Sequence, residues 1–498
     1  MKIIHTDKMD QLNLPPSETE KLWIYNGLDC CVTLEVYEQL RPQVDPTAMK
    51  TYEFSKSLMG PILEMNTRGM LVDQTRRSEV IGDYIKQLEF LQGNLSHLLV
   101  GAFDRDFNWR SPQQMQDLFY NVMNLPEVKK RGKITTDRDA LERLEDYFLA
   151  GPIIRHILLL RDIGKKIGVL KTEVDADNRM RTSYNIAGTT TGRLSSSLSD
   201  FGTGGNLQNI EKKLRSVFVA DPGFKMAEID LEQAESRLVG ALCWNLFHDG
   251  AYLDACESGD LHTTVCRLAW KDLSWVSDAP GNRRIAETPF YRQHSYRHMA
   301  KVLGHGTNYN GKPYTMSKHT KLDQKIIQEF QAKYFTAFPA IPRWHGRVAG
   351  ELATKGYLTS LMGRRRWFFG RRDDDATIRE AIAFDPQGSV GDILNLGLLK
   401  VWRANVAQIL LQIHDAILVQ YPQEAEQEVL FKVLSLITVE VPLAHGRYLK
   451  IPVDCKVGWN WGPYDAKDNP DGLKSWGTAD DRKRQRDPNT PLLDRKFL

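Results

Sequence analysis

The segment spanning residues 225–242 is typical of a short strand that runs directly into a helix. Alternating apolar residues predict the strand over residues 225–230, and the apolar positions that follow have helical spacing. Asp230 therefore ends the strand, where a side chain is presented rather than packed, and Glu235 follows on the first helical turns. Such an acid, joined by a second acid from elsewhere, is what a Mg²⁺ phosphoryl-transfer site requires. The segment alone also fits a plain acid at a helix start.

The length of 498 residues predicts about two to four domains or subdomains. A hydrophobic content of 42% and a charged content of 26% are typical of soluble globular proteins, and we find no bilayer-spanning run and no signal peptide. The net charge of +3 does not single out a nucleic-acid binder. Basic runs, which indicate either solvated faces or phosphate contacts, occur at residues 129–133, 364–366 and 482–486. Six cysteines without a CxxC pair or a zinc-ligand spacing indicate buried thiols in a reducing compartment, so we expect a cytoplasmic protein.

The periodicity predicts long helices before residue 170 and a change of character after it. The predicted helices of this first part cover residues 49–66, 76–99, 111–123 and 153–169. The Gly/Ser/Thr-rich segment 188–205 is either a flexible loop or a surface that approaches a nucleic-acid backbone closely. Two apolar runs within residues 409–419 flank His414 and Asp415, and they predict a β-hairpin with an acid at its turn.

Asp415 is the candidate for the second acid that a Mg²⁺ site at Asp230 requires. Strands far apart in sequence can pair in one sheet, so Asp230 and Asp415 are predicted to provide carboxylates for two Mg²⁺ ions. Such ions lower the pKa of an attacking hydroxyl and neutralise charge on a transferring phosphate.

A helix predicted over residues 291–307 carries polar side chains at steps of four residues. They are Arg297, Lys301, His305 and Tyr309. Steps of four place them on one slowly rotating face. Two cations, an imidazole and a phenol on one face suit a triphosphate with a stacked base, whereas a solvated basic face is the alternative for the two cations.

Short motifs follow one another in a fixed order along residues 20–465. They are TGRLSS (191–196), NLQNI (206–210), DLEQAESR (230–237), RHMAKVLGHGTNYNG (297–311), GRRR (363–366), PQGSVGD (386–392), QIHD (412–415) and GWNW (458–461). In this order they resemble the motifs of the family A (DNA polymerase I-like) DNA polymerases. The resemblance implies a template-directed DNA polymerase with a role in replication or repair, and no proofreading exonuclease of its own.

The resemblance also implies an α/β (α+β) right-hand fold, with an antiparallel palm sheet and long helices. The implied parts are a remnant of an exonuclease end at 1–48, a thumb at 49–170, a palm at 171–240 and 401–465, and fingers at 241–400. The polar composition of residues 466–498 predicts a loosely held tail.

Site residues carry over by position in these motifs, and also in the segments DLHTTV (260–265) and KKRGKITT (129–136), which resemble family segments as well. Asp230 and Asp415 would bind two Mg²⁺ ions, for which Mn²⁺ substitutes. The implied nucleotide-binding residues are Gln233, Glu235, His262, Arg297, Lys301, His305 and Tyr309. Glu235 would exclude ribonucleotides with Tyr309 packed against it, and Lys301 would also protonate the pyrophosphate. The implied primer–template contacts are Lys129, Lys130, Arg193, Asn206, Gln208, Asn209, Arg215, Gln387, Gln412 and His414. The partners would be primer–template DNA, deoxynucleoside triphosphates and a separate exonuclease or processivity subunit, with no membrane.

Three positions depart from the family pattern. Ala416 stands where a glutamate usually follows the hairpin aspartate, which is peripheral if the two aspartates hold the metals. His305 replaces an aromatic ring that stacks on the incoming nucleotide, so we expect altered nucleotide selectivity, with neutral drift as the alternative. Residues 25–29 resemble the last motif of a proofreading exonuclease whose other acids have no room before them, so we expect no such activity from this chain.

Two other functions remain open from the sequence. A single-subunit RNA polymerase shares the aspartates and the basic helix, but Glu235 would occupy the space that a ribose 2′-hydroxyl needs. A catalytically silent nucleic-acid-binding relic is the other, and the intact set of site residues argues against it.

Overall fold

The computed structural model describes residues 17–477, which form helices around several antiparallel sheets. In chain order, the helices are α1 (Glu18–Leu40), α2 (Pro46–Ser57), α3 (Met59–Arg68), α4 (Gln74–Phe103), α5 (Pro112–Gln116), α6 (Arg138–Leu144), α7 (Ala150–Leu170), α8 (Ala234–Phe247), α9 (Ala251–Glu257), α10 (Leu261–Ala269), α11 (Ala279–Ala286), α12 (Tyr296–Asn308), α13 (Pro313–Thr320), α14 (Gln324–Ala337), α15 (Ala340–Lys355), α16 (Asp375–Ala404) and α17 (Glu426–Ile437). The strands are β1 (Met70–Val72), β2 (Lys129–Lys130), β3 (Lys133–Ile134), β4 (Arg179–Met180), β5 (Ser183–Asn185), β6 (Ser195–Ser197), β7 (Phe218–Val219), β8 (Phe224–Leu231), β9 (Pro289–Tyr291), β10 (His294–Ser295), β11 (Tyr357–Thr359), β12 (Arg365–Trp367), β13 (Gln408–Ile413), β14 (Ala416–Pro422), β15 (Glu440–Pro442), β16 (Tyr448–Lys450), β17 (Val453–Gly458) and β18 (Lys474–Ser475).

The sheet that positions the site has five antiparallel strands in the order β13-β14-β8-β17-β18. Ile229 of β8 lies opposite Ile417 of β14 on one side and Cys455 of β17 on the other. Burial alternates along the second half of β8, so Ile229 faces the core while Glu228 and Asp230 lie on the opposite, half-buried face. The predicted antiparallel sheet is therefore confirmed, with the opening acid on its accessible face.

Three hydrophobic cores hold the described residues together. The first lies beneath the five-stranded sheet, and the second lies among α8, α9, α10, α12, α14 and α15. Helix α16 joins these two, because Ile382 packs in the second core and Ile393 in the first. The third core lies between α4, α5 and α7, with Leu95, Phe119 and Ile157 inside it. Each core buries apolar surface that its own elements would otherwise expose to water.

Two boundaries differ from those predicted. The thumb is predicted to begin at residue 49, yet Met65 and Met70 pack in the core of the sheet, because β1 pairs with β4 and β7. A loosely held tail was predicted from residue 466, yet β18 extends the sheet and the Trp476 backbone N–H donates to the Cys455 carbonyl (2.8 Å). The rest of that predicted tail, with the basic run at 482–486, lies outside the described residues.

Local sequence signals explain where the site helices begin. Helix α12 begins at Tyr296 rather than at residue 291, because a hairpin of β9 and β10 precedes it and the Ser295 hydroxyl accepts from the His298 N–H.

Among the described helices, none is both long and apolar enough to cross a membrane.

Candidate active site

The end of β8 is fastened to the turn between β13 and β14. The Leu231 N–H donates to the Asp415 carbonyl (3.1 Å), and Asp230 lies opposite Ala416, the residue after Asp415. His414 adopts a positive φ of 53° in this two-residue turn, a conformation uncommon outside glycine. The predicted hairpin is confirmed, and it brings the two acids to the same end of the sheet.

Burial raises the pKa of Asp230 to about 7, and negative charge on Asp415 and Glu228 adds to the effect. Asp454 of β17 lies directly opposite Asp230 and acts in the same direction, whereas Lys456 opposes it. Like-charged carboxylates that crowd a half-buried site disfavour ionisation of the central one. A divalent cation at this point would remove that cost.

The donor set fits a hard cation. Mg²⁺ prefers carboxylate oxygens and keeps several of its waters, so two protein carboxylates suffice to anchor it. Across residues 17–477, no three His, Cys, Asp or Glu side chains converge as a ready-made ligand cage. Asp230 and Asp415 would therefore leave coordination positions for water and substrate.

A cleft of about 490 Å³ opens beside these acids. The predicted site residues that line it are Asp230, Gln233, Glu235, His262, Lys301, His305 and Asp415. They come from β8, α8, α10, α12 and the hairpin turn, so segments far apart in sequence converge here. Gln233 adopts a φ of 54° just before α8, and its amide nitrogen donates to the Gly259 carbonyl (3.3 Å).

Glu235 is held from several sides in the first turn of α8. The Arg193 guanidinium donates to its Oε1 (2.6 Å), and the Tyr309 hydroxyl donates to its Oε2. Burial and the negative charge of Glu235 raise the pKa of Tyr309 well above its usual range, so the phenol keeps its proton. The His305 Nε2 lies 4.0 Å from the same Oε2, and its ring meets Tyr309 edge-on at 4.9 Å between centroids.

The two cationic side chains predicted to bind the triphosphate differ in their present contacts. Lys301 lines the cleft, whereas Arg297 is bound to Asp260 through its Nε (3.1 Å) and Nη2 (3.1 Å) atoms. Burial, together with the charges of Arg297 and Lys301, lowers the pKa of His262 to about 4. His262 is therefore neutral at pH 7 and presents a hydrogen-bonding imidazole rather than a cation.

Gln208 and Gln412, whose side-chain amides are predicted to contact DNA, are hydrogen-bonded to each other beneath the hairpin turn. The Gln208 Nε2 donates to the Gln412 Oε1 (2.9 Å), and the Gln412 Nε2 donates to the His414 carbonyl (2.6 Å). The Tyr184 hydroxyl donates to the Gln412 carbonyl (2.8 Å) and accepts from its N–H (3.0 Å). Both glutamines are buried, so in this structure they shape the turn that carries Asp415.

Other predicted DNA contacts remain accessible. Asn206, Asn209 and His414 are exposed around the same turn. Beyond Glu235, Arg193 donates through its Nε to the Gln387 carbonyl (3.0 Å). Residues 129–134 form the hairpin of β2 and β3, where the Lys129 and Lys130 side chains are more than half exposed and pair with nearby acids.

Arg215, one of the predicted DNA contacts, is turned into the protein in this structure. Its side chain is 11% exposed, pairs with Glu228 (3.2 Å) and stacks on Trp461 with 4.2 Å from guanidinium carbon to ring centre. Because Trp461 also donates to Glu228 (2.8 Å), the three residues form a closed network in the sheet domain. Arg215 therefore supports β8 rather than reaching outward.

The ion pair between Arg364 and Asp392 was not predicted, although both residues lie in quoted motifs. Arg364 donates to both carboxylate oxygens of Asp392 (2.7 and 3.1 Å), and the Asp392 side chain is 3% exposed. A Cβ on Gly192 would lie 2.2 Å from Arg364, so glycine is needed where the TGRLSS segment crosses this pair. The joint presence of GRRR and PQGSVGD was the signal, but nothing in sequence paired Arg364 with Asp392.

Known proteins with similar sequences cover most of this chain. A sequence profile of DNA polymerase family A matches residues 79–463. DNA polymerase I of Geobacillus stearothermophilus is 27% identical over 441 residues, which are 83% of this chain and 46% of that protein. The thermostable DNA polymerase I of Thermus filiformis is 26% identical over 457 residues, which are 86% of this chain and 50% of that protein. The chain thus spans about half the length of these relatives.

A solved structure shows the same fold. The POL domain of Pol1 from M. smegmatis, in complex with DNA primer-template and dNTP, matches 87% of this chain and 75% of that one. The TM-score is 0.69 and the sequence identity is 23%. The predicted α+β right-hand architecture is therefore confirmed. With the profile match over most of its length, this chain belongs to DNA polymerase family A.

Proposed function

We propose that this chain is a template-directed DNA polymerase that adds deoxynucleotides to the 3′ end of a primer. The observation that carries the proposal is the meeting of Asp230 and Asp415 at one end of the sheet, beside a cleft lined by Lys301 and His262. The names of the relatives, and the DNA and dNTP in the M. smegmatis complex, support the same substrates.

The three cores suggest how the hand is divided. We assign the palm to residues 58–72, 171–240 and 401–477, because these segments share the core of the sheet. The fingers occupy residues 241–400, around the second core. The thumb occupies residues 74–170, around the third core.

Asp230 and Asp415 are the residues that would hold two Mg²⁺ ions, with Mn²⁺ as a substitute. When bound, such ions activate the primer hydroxyl and neutralise charge on the transferring phosphate. Lys301 holds the triphosphate and supplies a proton to the pyrophosphate. His262 donates a hydrogen bond to a phosphate oxygen as a neutral imidazole. Arg297 joins them once the triphosphate displaces Asp260 from its guanidinium.

Sugar selection follows from the contacts of Glu235. Arg193 and Tyr309 fix its carboxylate at the start of α8, between the acids and α12. A carboxylate held this rigidly excludes a 2′-hydroxyl by contact and by desolvation, which favours deoxyribonucleotides. His305, 59% exposed at its side chain, remains free to stack on the incoming base.

A primer-extension assay tests the proposal. The protein with primer–template, Mg²⁺ and deoxynucleotides should extend the primer by the template sequence, and ribonucleotides should be used poorly. Preferential use of ribonucleotides would favour a single-subunit RNA polymerase instead. Tight primer–template binding without extension by any nucleotide would establish a silent nucleic-acid-binding protein.

We further propose that a separate exonuclease or processivity subunit works with this chain. Helix α1, which carries Tyr25 and Asp29 of the exonuclease-like motif, buries none of its residues. Copurification with a nuclease activity that depends on α1 would support this partner. Unchanged activity and processivity after deletion of α1 would contradict it.

A further inference from the structure

A buried hydrogen-bonded bridge runs beside the contact between Glu235 and Tyr309. Asn308, the last residue of α12, donates from its side-chain amide to the hydroxyl oxygen of Tyr252 on α9 (2.7 Å). The side chain of Ser236, in the first turn of α8, contacts the same phenol. The bridge therefore joins the residue after Glu235 to the residue before Tyr309.

Two further hydrogen bonds fix Asn308 in place. The Tyr334 hydroxyl of α14 donates to the Asn308 Oδ1 (2.9 Å), and the His345 Nε2 of α15 donates to the Asn308 carbonyl (2.7 Å). Asn308 and Tyr252 are each 2% exposed, so water does not compete for these bonds. The end of α12 is thus held by three other helices at once.

The network is neutral and lies within an otherwise apolar core. Burial raises the pKa of the Tyr252 and Tyr334 phenols above their usual range and lowers the pKa of the His345 imidazole, so none of them is charged at neutral pH. Apolar side chains of the same shape would fill this core with a similar stability. What the hydrogen bonds add is direction, because each donor must meet its acceptor in one arrangement of the helices.

We propose that Tyr252 and Asn308 are positioning residues for sugar selection, which hold α12 against α8 so that the Tyr309 hydroxyl stays on the Glu235 carboxylate. This inference rests on the proposed polymerase function, because the pair that it concerns selects the sugar there. Tyr252 and Asn308 are buried, so they act through that pair and not on the nucleotide. Without the bridge, Tyr309 can leave Glu235, and the carboxylate then gives way to a 2′-hydroxyl.

Single-nucleotide incorporation by Tyr252→Phe tests the proposal, since this change removes one hydroxyl and keeps the ring. The kcat/KM for ribonucleotides relative to deoxyribonucleotides should rise at least about 3-fold, because one hydrogen bond contributes a factor of about 5. Asn308→Leu should raise the same ratio. Tyr421→Phe is the matched control, because Tyr421 is a fully buried phenol of β14 that donates to Glu426 (3.4 Å) and does not line the cleft. An unchanged ratio in Tyr252→Phe, or an equal rise in the control, would overturn the proposal.

A double-mutant cycle in the free protein gives a readout that needs no activity. Urea unfolding is compared for Tyr252→Phe, Tyr309→Phe and the combined variant. If the bridge holds Tyr309 on Glu235, the combined variant should lose clearly less stability than the sum of the two single losses. Additive losses would show that the two contacts are independent and that the bridge positions nothing. A chain that extends no primer would refute the proposed polymerase function, whereas the cycle would still decide whether the bridge holds Tyr309.

Discussion

Asp392→Ala would leave the guanidinium of Arg364 without its partner inside the protein. Asp392 is 3% exposed and Arg364 is 16% exposed, and two hydrogen bonds of 2.7 and 3.1 Å join them. Removal of one partner from a buried ion pair costs about 3–5 kcal/mol, because the other charge stays desolvated. Two charge-assisted hydrogen bonds at about 1.5 kcal/mol each give a similar figure. Since Arg364 retains some contact with water, we expect a loss of about 3 kcal/mol.

A matched control lies in the same segment. Arg366 pairs with Glu380 of α16 at 2.8 Å, but the Glu380 side chain is 62% exposed. An exposed pair contributes about 0–1 kcal/mol, so Glu380→Ala should barely change stability. The double variant Arg364→Met/Asp392→Leu should regain most of the loss, because an apolar pair removes the stranded charge.

Urea unfolding followed by circular dichroism measures these differences in the free energy of unfolding. We expect Asp392→Ala to lower the free energy of unfolding strongly and Glu380→Ala to lower it only slightly. Equal losses for the two single variants, or a loss below about 1 kcal/mol for Asp392→Ala, would refute the claim that burial makes the first pair structural.

Further expectations concern the cleft and the thumb. Glu235→Ala should raise the relative kcat/KM for ribonucleotides by at least about 10-fold, and an unchanged ratio in single-nucleotide incorporation would remove Glu235 from sugar selection. His305→Phe should change the incorporation of dideoxynucleotides relative to natural ones, and identical ratios in the two proteins would indicate neutral drift. Replacing Lys129 and Lys130 together by alanine should reduce the slope of log K against log salt for DNA binding by about 2, whereas an unchanged slope would show that the β2–β3 hairpin lies off the DNA.

The sequence predicted the strand and hairpin that carry the acids because both are short-range patterns. Residues 225–230 and 409–419 show their periodicity directly, and the observed β8, β13 and β14 contain those positions except His414 and Asp415, which form the turn. The ordered motifs identified the family, because each motif needs particular residue types at fixed spacing. The family resemblance also implied that Tyr309 packs against Glu235, and in the structure a hydrogen bond joins them.

Long-range partners could not be read from the sequence. The ion pair between Arg297 and Asp260, the N-cap residue of α10, is one example. The contacts of Arg215 are another, because Glu228 lies on β8 and Trp461 lies just after β17. Such pairings depend on which faces meet after folding, and local periodicity carries no information about them.

The packing of residues 58–72 likewise depends on long-range contacts. Their local pattern is helical, as in the helices that follow. Only the pairing of β1 with β4 and β7 reveals that Met70 belongs to the core of the sheet. The strand β18 was hidden by its polar composition, because an edge strand of two residues needs few apolar side chains.

We propose above that Asp230 and Asp415 together form the metal-binding centre of a DNA polymerase. Single-turnover incorporation of one deoxynucleotide should be measured across Mg²⁺ concentrations for Asp230→Asn, Asp415→Asn and Asp454→Asn. Asp454 is the matched control, because it faces Asp230 across the strands but pairs with Lys456 (3.2 Å) and does not line the cleft. We expect the incorporation rate to fall at least about 100-fold in Asp230→Asn and in Asp415→Asn, with DNA binding retained. Asp454→Asn should incorporate the nucleotide at a near-normal rate. Normal incorporation by Asp415→Asn would contradict the proposal.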